Sequence, residues 1–248
     1  VIDASYSHTS SLSTPKLQFV EEATSSSSNA ISIKTYDSIS TDADILASFE
    51  GLSLPNVQIL NFDLSSGVDF QSSQNVIGDN LTQVNVTGSG DFYLTNSNIV
   101  SGLGNNVSLD ASSYSGNLNL QLDETNNSIN TITGGSGDDV IEIDGASIFN
   151  VSCGDGNDLI TLTANADGYN TDITIYGHGG VDTLSFANGL DFSIGNISIS
   201  GIENLEFTGG ASTNKVASDL ISTKSYQLSE NGTGTVNLSV FPTQQVID

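Results

Sequence analysis

TGGSGDDVIEI at 133–143, SCGDGNDLITL at 152–162 and YGHGGVDTLSF at 176–186 decide how this chain folds. Aligned on Asp139, Asp158 and Asp182, each stretch has a β-branched residue seven positions earlier, at Ile132, Val151 and Ile175. Two and four positions after the aspartate stand Ile141 and Ile143, Ile160 and Leu162, and Leu184 and Phe186. Alternating apolar residues mark a strand with one buried face, and a glycine-rich hexapeptide between two strands marks a turn with unusual backbone angles and exposed carbonyls. Strand, turn and strand recurring after 19 and 24 residues predict one solenoid coil per repeat. DGAS at 144–147 and ADGYN at 166–170 supply reversals on the opposite side, so each coil holds two short strands and two turns.

The composition of the turns points to a hard cation. Calcium takes about six to eight oxygen ligands, and bent backbone with free carbonyls plus a carboxylate supplies them without bulky side chains. The metal-ligating set expected here is Gly135, Gly137 and Asp139 in the first turn, Gly154, Gly156 and Asp158 in the second, and Gly179 and Asp182 in the third. Stacking brings Asp139 near the turn 153–158 and Asp158 near the turn 177–182, which predicts two shared ions and half-sites at the outer edges. Without a cation the stacked aspartates, with Asp138 and Asp155 beside them, repel one another and are driven towards protonation. Folding and ion binding are therefore expected to be coupled.

These turns resemble the nonapeptide G-G-x-G-x-D-x-U-x of RTX proteins, a calcium-binding β-roll pattern. Gly134 to Glu142 fits at every specified place; Cys153 replaces the first glycine of the second copy, and His178 the second glycine of the third. Copies in the family usually follow every nine residues, so the longer intervals here imply a degenerate roll with extended back turns. The region between Val76 and Leu122, with LTQVNVTGSGDFYLT followed by LDAS and then the aspartate turns, is similar in order to the β-rich repeats of bacterial surface-layer proteins. The implied fold is all-β, an elongated right-handed parallel β-helix or β-roll with calcium-binding turns. Its expected divisions are 1–55, the end of a preceding repeat; 56–128, a β-solenoid repeat; 129–190, the calcium roll; and 191–248, the start of the next repeat.

Composition limits the partners. The chain of 248 residues carries 29 acidic residues against four lysines and no arginine, a formal charge of −25. Such a surface repels phosphate backbones and anionic lipid, so neither nucleic acid nor membrane is expected as a direct partner, whereas cations are. A single cysteine, Cys153, excludes an internal disulfide and reads as a small residue in a turn. His8 and His178 are too isolated for a zinc site. No apolar run has the length of a membrane span and no charged-then-apolar leader opens the chain; the mid-pattern start VIDASYS and the absence of methionine suggest part of something larger.

Elsewhere strands are expected at Lys16 to Val20 and in AISIKTY from Ala30, with TGSGD and SYSGN as turns. TDADILASFEGL at 41–52 echoes GVDTLSFANGL at 180–190, and NVQILNF at 56–62 matches GIENLEF at 201–207. Together they suggest a long repeat 145 residues apart, from Val57 to Ile202. Secondary cation candidates are Asp42, Asp44, Asp79, Asp110, Asp123, Asp144 and Asp167, each also readable as an ordinary turn residue.

No H-E-x-x-H or G-x-S-x-G occurs, and no carboxylate pair stands out among so many, so no enzyme activity is expected. The resemblance implies a structural segment of a secreted surface-layer protein at the bacterial cell surface. It implies type I export, calcium-dependent folding outside, and self-association into a two-dimensional lattice. Attachment to cell-surface polysaccharide is expected through regions beyond these residues. The alternative is a calcium-binding RTX module of a secreted adhesin or exoenzyme.

Overall fold

The computed structural model describes residues 3–7, 16–21, 29–36, 46–54, 56–65, 69–72, 75–94, 99–100, 106–123, 128–144, 150–163, 173–186 and 197–207. Alternation becomes a strand with one buried face through most of the described coils, with Ser32 and Ser185 buried on the other face as well. In β5 (Ile59–Leu64) the residues Leu60, Phe62 and Leu64 are buried while Ile59, Asn61 and Asp63 are partly exposed. The same holds in β8 (Gln83–Gly88), β11 (Val107–Asp110), β13 (Ile129–Thr133), β15 (Asn150–Asp155) and β17 (Ile173–Gly179). With β2 (Lys16–Glu21), β3 (Ala30–Tyr36) and β19 (Ile197–Ser200), these form a nine-stranded sheet, sheet I.

The opposing sheet, sheet II, is built on β4 (Leu46–Ser53), β6 (Asp69–Ser72), β9 (Phe92–Leu94), β12 (Leu118–Asp123), β14 (Val140–Asp144), β16 (Leu159–Leu162), β18 (Thr183–Phe186) and β20 (Asn204–Phe207). Consecutive strands such as β13 and β14 lie in opposite sheets, while neighbours within a sheet, such as β14 and β16, are parallel. The chain therefore winds as a parallel β-solenoid, and among the described residues no helix occurs. Register follows the sequence alignment: Ile132 pairs with Val151 and Val151 with Ile175, while Ile141, Ile160 and Leu184 stand in line, as do Ile143, Leu162 and Phe186.

Both sheets face one core. Phe62 of sheet I lies 4.8 Å from Phe70 and 5.0 Å from Phe92 of sheet II, centroid to centroid, and all three are essentially without solvent contact. Aromatic rings at such distances add packing energy beyond the area they bury. Two short strands, β7 (Val76–Ile77) and β10 (Ile99–Val100), continue the stack beside Leu52 and Ser53 of β4.

The topology adds to one expectation and corrects another. Beside the parallel stack, β1 (Asp3–Ser7) runs antiparallel to β4 and β2 antiparallel to β3. Such strands cover the open edge of the first coil, where another parallel strand would require another full turn. The 145-residue repeat fails as a structural unit: NVQILNF contributes β5 to sheet I, whereas GIENLEF contributes β20 to sheet II. Period-two alternation is common to both sheets of a solenoid, so apolar likeness between two strands does not say on which side they lie. Strand pairing runs through positions 55/56, 128/129 and 190/191, joining β3 to β5, β11 to β13 and β17 to β19.

Candidate metal centre

The residue that leads into each strand of sheet II occupies one inward-facing column. In the earlier coils that column is apolar: Phe70, Phe92 and Leu118 are fully buried. In the next three coils the same place is taken by Asp139, Asp158 and Asp182, with relative exposures of 1%, 1% and 0%. The three aspartates of the sequence reading are therefore stacked as expected, but they lie inside the molecule where the preceding coils keep hydrophobic side chains. That change of chemistry, between Leu118 and Asp139, separates the glycine-turn coils from the earlier ones.

Each buried carboxylate accepts a backbone N–H from the coil before it. Leu118 N donates to Asp139 Oδ1 at 2.8 Å, Asp139 N to Asp158 Oδ1 at 2.8 Å and Asp158 N to Asp182 Oδ1 at 2.9 Å. Glu203 extends the series, its Oε2 accepting from Asp182 N at 3.1 Å. One residue earlier, a second ladder runs the opposite way. Asp91 N donates to Asp69 Oδ1, Asn117 N to Asp91 Oδ1, Asp138 N to Asn117 Oδ1, Asn157 N to Asp138 Oδ1 and Val181 N to Asn157 Oδ1, all within 3.0 Å. Each coil thus gives one N–H forward and one backward, which satisfies amides a bent turn would otherwise leave bare.

The second oxygen is different. Oδ2 of Asp139 and of Asp158 is buried and has no hydrogen-bond donor among the described residues. A buried carboxylate with an unmatched oxygen is costly, and it is relieved by a proton or a cation. Burial pushes Asp139 up to about 7, opposed by the Leu118 amide, reinforced by the charge of Asp158 and opposed more weakly by the nearby Gly135 amide. Burial likewise pushes Asp158 up to about 7, opposed by the Asp139 amide and reinforced by Asp182.

Beside the column the turns of neighbouring coils pack backbone on backbone, because they have no side-chain bulk. A Cβ on Gly154 would meet Gly135 O at 2.1 Å, and a Cβ on Gly156 would meet Gly137 O at 2.1 Å. Both glycines hold positive φ, 101° and 127°. No group of three or more His, Cys, Asp or Glu side chains able to hold a metal occurs among the described residues. A cation here would therefore draw most of its ligands from carbonyls. The donor chemistry fits calcium: Asp139 and Asp158 would supply the negative charge, and turn carbonyls would supply neutral oxygens, although Gly135 O already accepts from Asp155 N at 2.9 Å.

The register sets Gly179 apart from the other turn glycines. Gly179 pairs with Asp155, the variable position of the turn, while Gly180 takes the place of Gly137 and Gly156. Gly180 has φ 138° and a Cβ there would meet Gly156 O at 1.6 Å; a Cβ on Gly179 would meet only the Asp155 side chain. Counting back two residues from Asp182 marks Gly180 directly. Gly180→Ala should cost about 1–3 kcal/mol from backbone strain alone, with steric cost added, while Gly179→Ala should fall within about 0.5 kcal/mol of the parent in denaturant melts.

His178, in register with Gly154, adopts the left-handed region without being glycine, at φ 73°. It is exposed, and its Nε2 lies 2.8 Å from Ser152 Oγ. Cys153 is fully buried; burial first, then the charge of Asp158, pushes its thiol far up, so it is an inert packing residue. The turn preceding Asp139 is filled instead by Tyr114, whose hydroxyl donates to Gly90 O.

Of the secondary candidates, Asp110 closes a turn by accepting from Ser112 N at 3.0 Å, and Asp79 lies in a turn after β7. Asp123 and Asp144 end β12 and β14 without a described side chain, and Asp42, Asp44 and Asp167 lie outside the described residues. Sequence reading missed Asp69, Asp91, Asn117, Asn157 and Glu203. The first four share a legible mark: an acid or amide immediately before the inward residue that leads into a sheet II strand.

No protein-family profile, curated protein or solved structure matches the chain. Among the described residues no helix is long and apolar enough to cross a membrane.

Proposed function

We propose that this chain is a calcium-stiffened segment of a secreted bacterial surface-layer protein, whose role is to self-assemble into a lattice at the cell surface. The observation that carries the calcium part is the buried Oδ2 of Asp139 and of Asp158, each without a hydrogen-bond donor among the described residues, in a column that the earlier coils fill with apolar side chains. Calcium, when bound, supplies the positive charge these carboxylates lack. The chain's own residues do the rest: Asp139 and Asp158 face the turns, the glycines let neighbouring carbonyls close in, and the two amide ladders hold successive coils in register.

Extracellular calcium modules bind at about 10⁻⁴ to 10⁻³ M, a range that favours an unfolded chain in the cytosol and a folded one outside. A stack of coils held at one spacing also makes a rigid body with long lateral faces, which suits repeated self-contact. Negative-stain electron microscopy of the purified chain with millimolar calcium should show ordered sheets that a chelator disperses. A chain that binds calcium yet sediments as a monomer at every concentration refutes the lattice role. If that monomer instead captures a surface ligand, it belongs with the adhesin modules.

A further inference from the structure

On the outer side of sheet I, in the coils before the aspartate column, the strands β3, β5, β8 and β11 shape a groove of about 350 Å³. Register places its walls. Ser32, Asn61, Asn85 and Asp110 stand opposite one another on successive strands, and Lys34 stands opposite Asp63 in the neighbouring row. Parallel strands lie about 4.8 Å apart, so Asn61, Asn85 and Asp110 offer an amide, an amide and a carboxyl at successive steps along the stack, while Ser32 beyond Asn61 is buried.

The groups are held before any ligand arrives. Gln83 Nε2 donates to Asn85 Oδ1 at 2.8 Å, Asn85 Nδ2 to Asn61 Oδ1 at 2.7 Å and Asn61 Nδ2 to Ser32 Oγ at 3.3 Å. A carboxamide has two donor hydrogens and two acceptor lone pairs, so each asparagine keeps a donor and an acceptor beyond this chain. Lys34 Nζ binds Asp63 Oδ2 at 2.8 Å, and that bond holds the Asp63 carboxyl below its ordinary range. Fixed amides beside a fixed ion pair form a preorganised polar surface, which lowers the ordering cost of binding.

The chemistry narrows the occupant. An anionic polymer is disfavoured by a formal charge of −25 and by a lysine already engaged with Asp63. A peptide adding as a strand finds no open edge, because β3, β5, β8 and β11 are each paired on both sides. Among the described residues of the groove, Asp63 and Asp110 are the only carboxylates, and Asp63 is already paired with Lys34. What remains complementary is a ligand whose groups both donate and accept at short intervals. We infer that this groove binds an uncharged oligosaccharide laid along the stack, its successive hydroxyls meeting Asn61, Asn85 and Asp110. The site is separate from the aspartate column and depends neither on a bound ion nor on lattice formation.

The test is binding of the folded chain, displayed multivalently on beads in calcium-containing buffer, to an array of uncharged and acidic oligosaccharides. At least one class of uncharged glycan should be retained, and Asn61→Ala with Asn85→Ala should weaken that retention about tenfold or more with circular dichroism unchanged. Asn85→Ser, which keeps a small polar group on the strand, gives the same readout should the double variant fail to fold. Retention of acidic glycans alone, of none, or equally by parent and variants overturns the inference. It is also overturned if the substitutions change only the sedimentation of the chain, which would assign the groove to contact between copies.

Discussion

Chelation at pH 8 will lower the melting temperature of this protein by about 15 °C or more, and in chelator the loss will shrink as the pH is brought down to 5. The unfolded carboxyls ionise near 3.8, whereas burial in the fold pushes Asp139 and Asp158 up to about 7. Below both values each state carries the proton and no penalty arises. Between them the unfolded chain releases protons that the folded chain retains, so stability falls as pH rises through that window and levels off above it. At about 1.4 kcal/mol per pH unit the cost is on the order of 4 kcal/mol for each aspartate. Two such costs, at about 2–4 °C per kcal/mol for a domain of this size, give the stated fall.

With calcium the slope has the opposite sign, because protons compete with the ion for the same oxygens. Asp63 does not blur the comparison: its carboxyl is lowered by Lys34, so its contribution is lost only on acidification below the ordinary carboxyl range. Thermal melts across pH, with and without chelator, check both signs. Identical melts in the two buffers would remove the calcium reading altogether.

Replacement of Asp158 separates charge from hydrogen bonding. Asp158→Ala removes the acceptor of Asp139 N and the carboxylate of the central turn. Leaving a buried amide without a partner costs about 1–3 kcal/mol, and calcium calorimetry should show both shared ions lost. Asp158→Asn keeps an oxygen for Asp139 N while removing the buried charge. In chelator at pH 8 it should be more stable than the parent, by up to about 4 kcal/mol, yet calcium should no longer raise its melting temperature to the parent's. A variant that keeps the parent's number of ions, or an Asp158→Asn protein less stable than the parent in chelator, contradicts the role given to this side chain.

Much of this was open to reading from residues in order. Ile132, Val151 and Ile175 aligned because a coil must return each apolar residue to the same depth, and that depth is a local property of alternation. The echo between NVQILNF and GIENLEF misled for the same reason, since inward alternation looks alike on either side of a shared core. Gly179 was chosen over Gly180 although the difference lies in the turn: only the residue two before the aspartate must pass beneath a neighbouring carbonyl. The Asx ladder escaped notice because its members are unlike in charge, Asp69 and Asp91 then Asn117, Asp138 and Asn157, and share only a position relative to a strand.

By itself the order of amino acids determined that this chain winds in coils, where the coils turn, and that three aspartates fall one above another, because each follows from short-range periodicity and glycine placement. Only the tertiary structure decided that those aspartates occupy a column that Phe70, Phe92 and Leu118 fill elsewhere, that one oxygen of each accepts a neighbouring amide, and that the other oxygen of Asp139 and of Asp158 is left without a donor. Burial and hydrogen-bond partners depend on which coil lies against which. Those distances are closed by stacking, across stretches of chain that no local pattern spans.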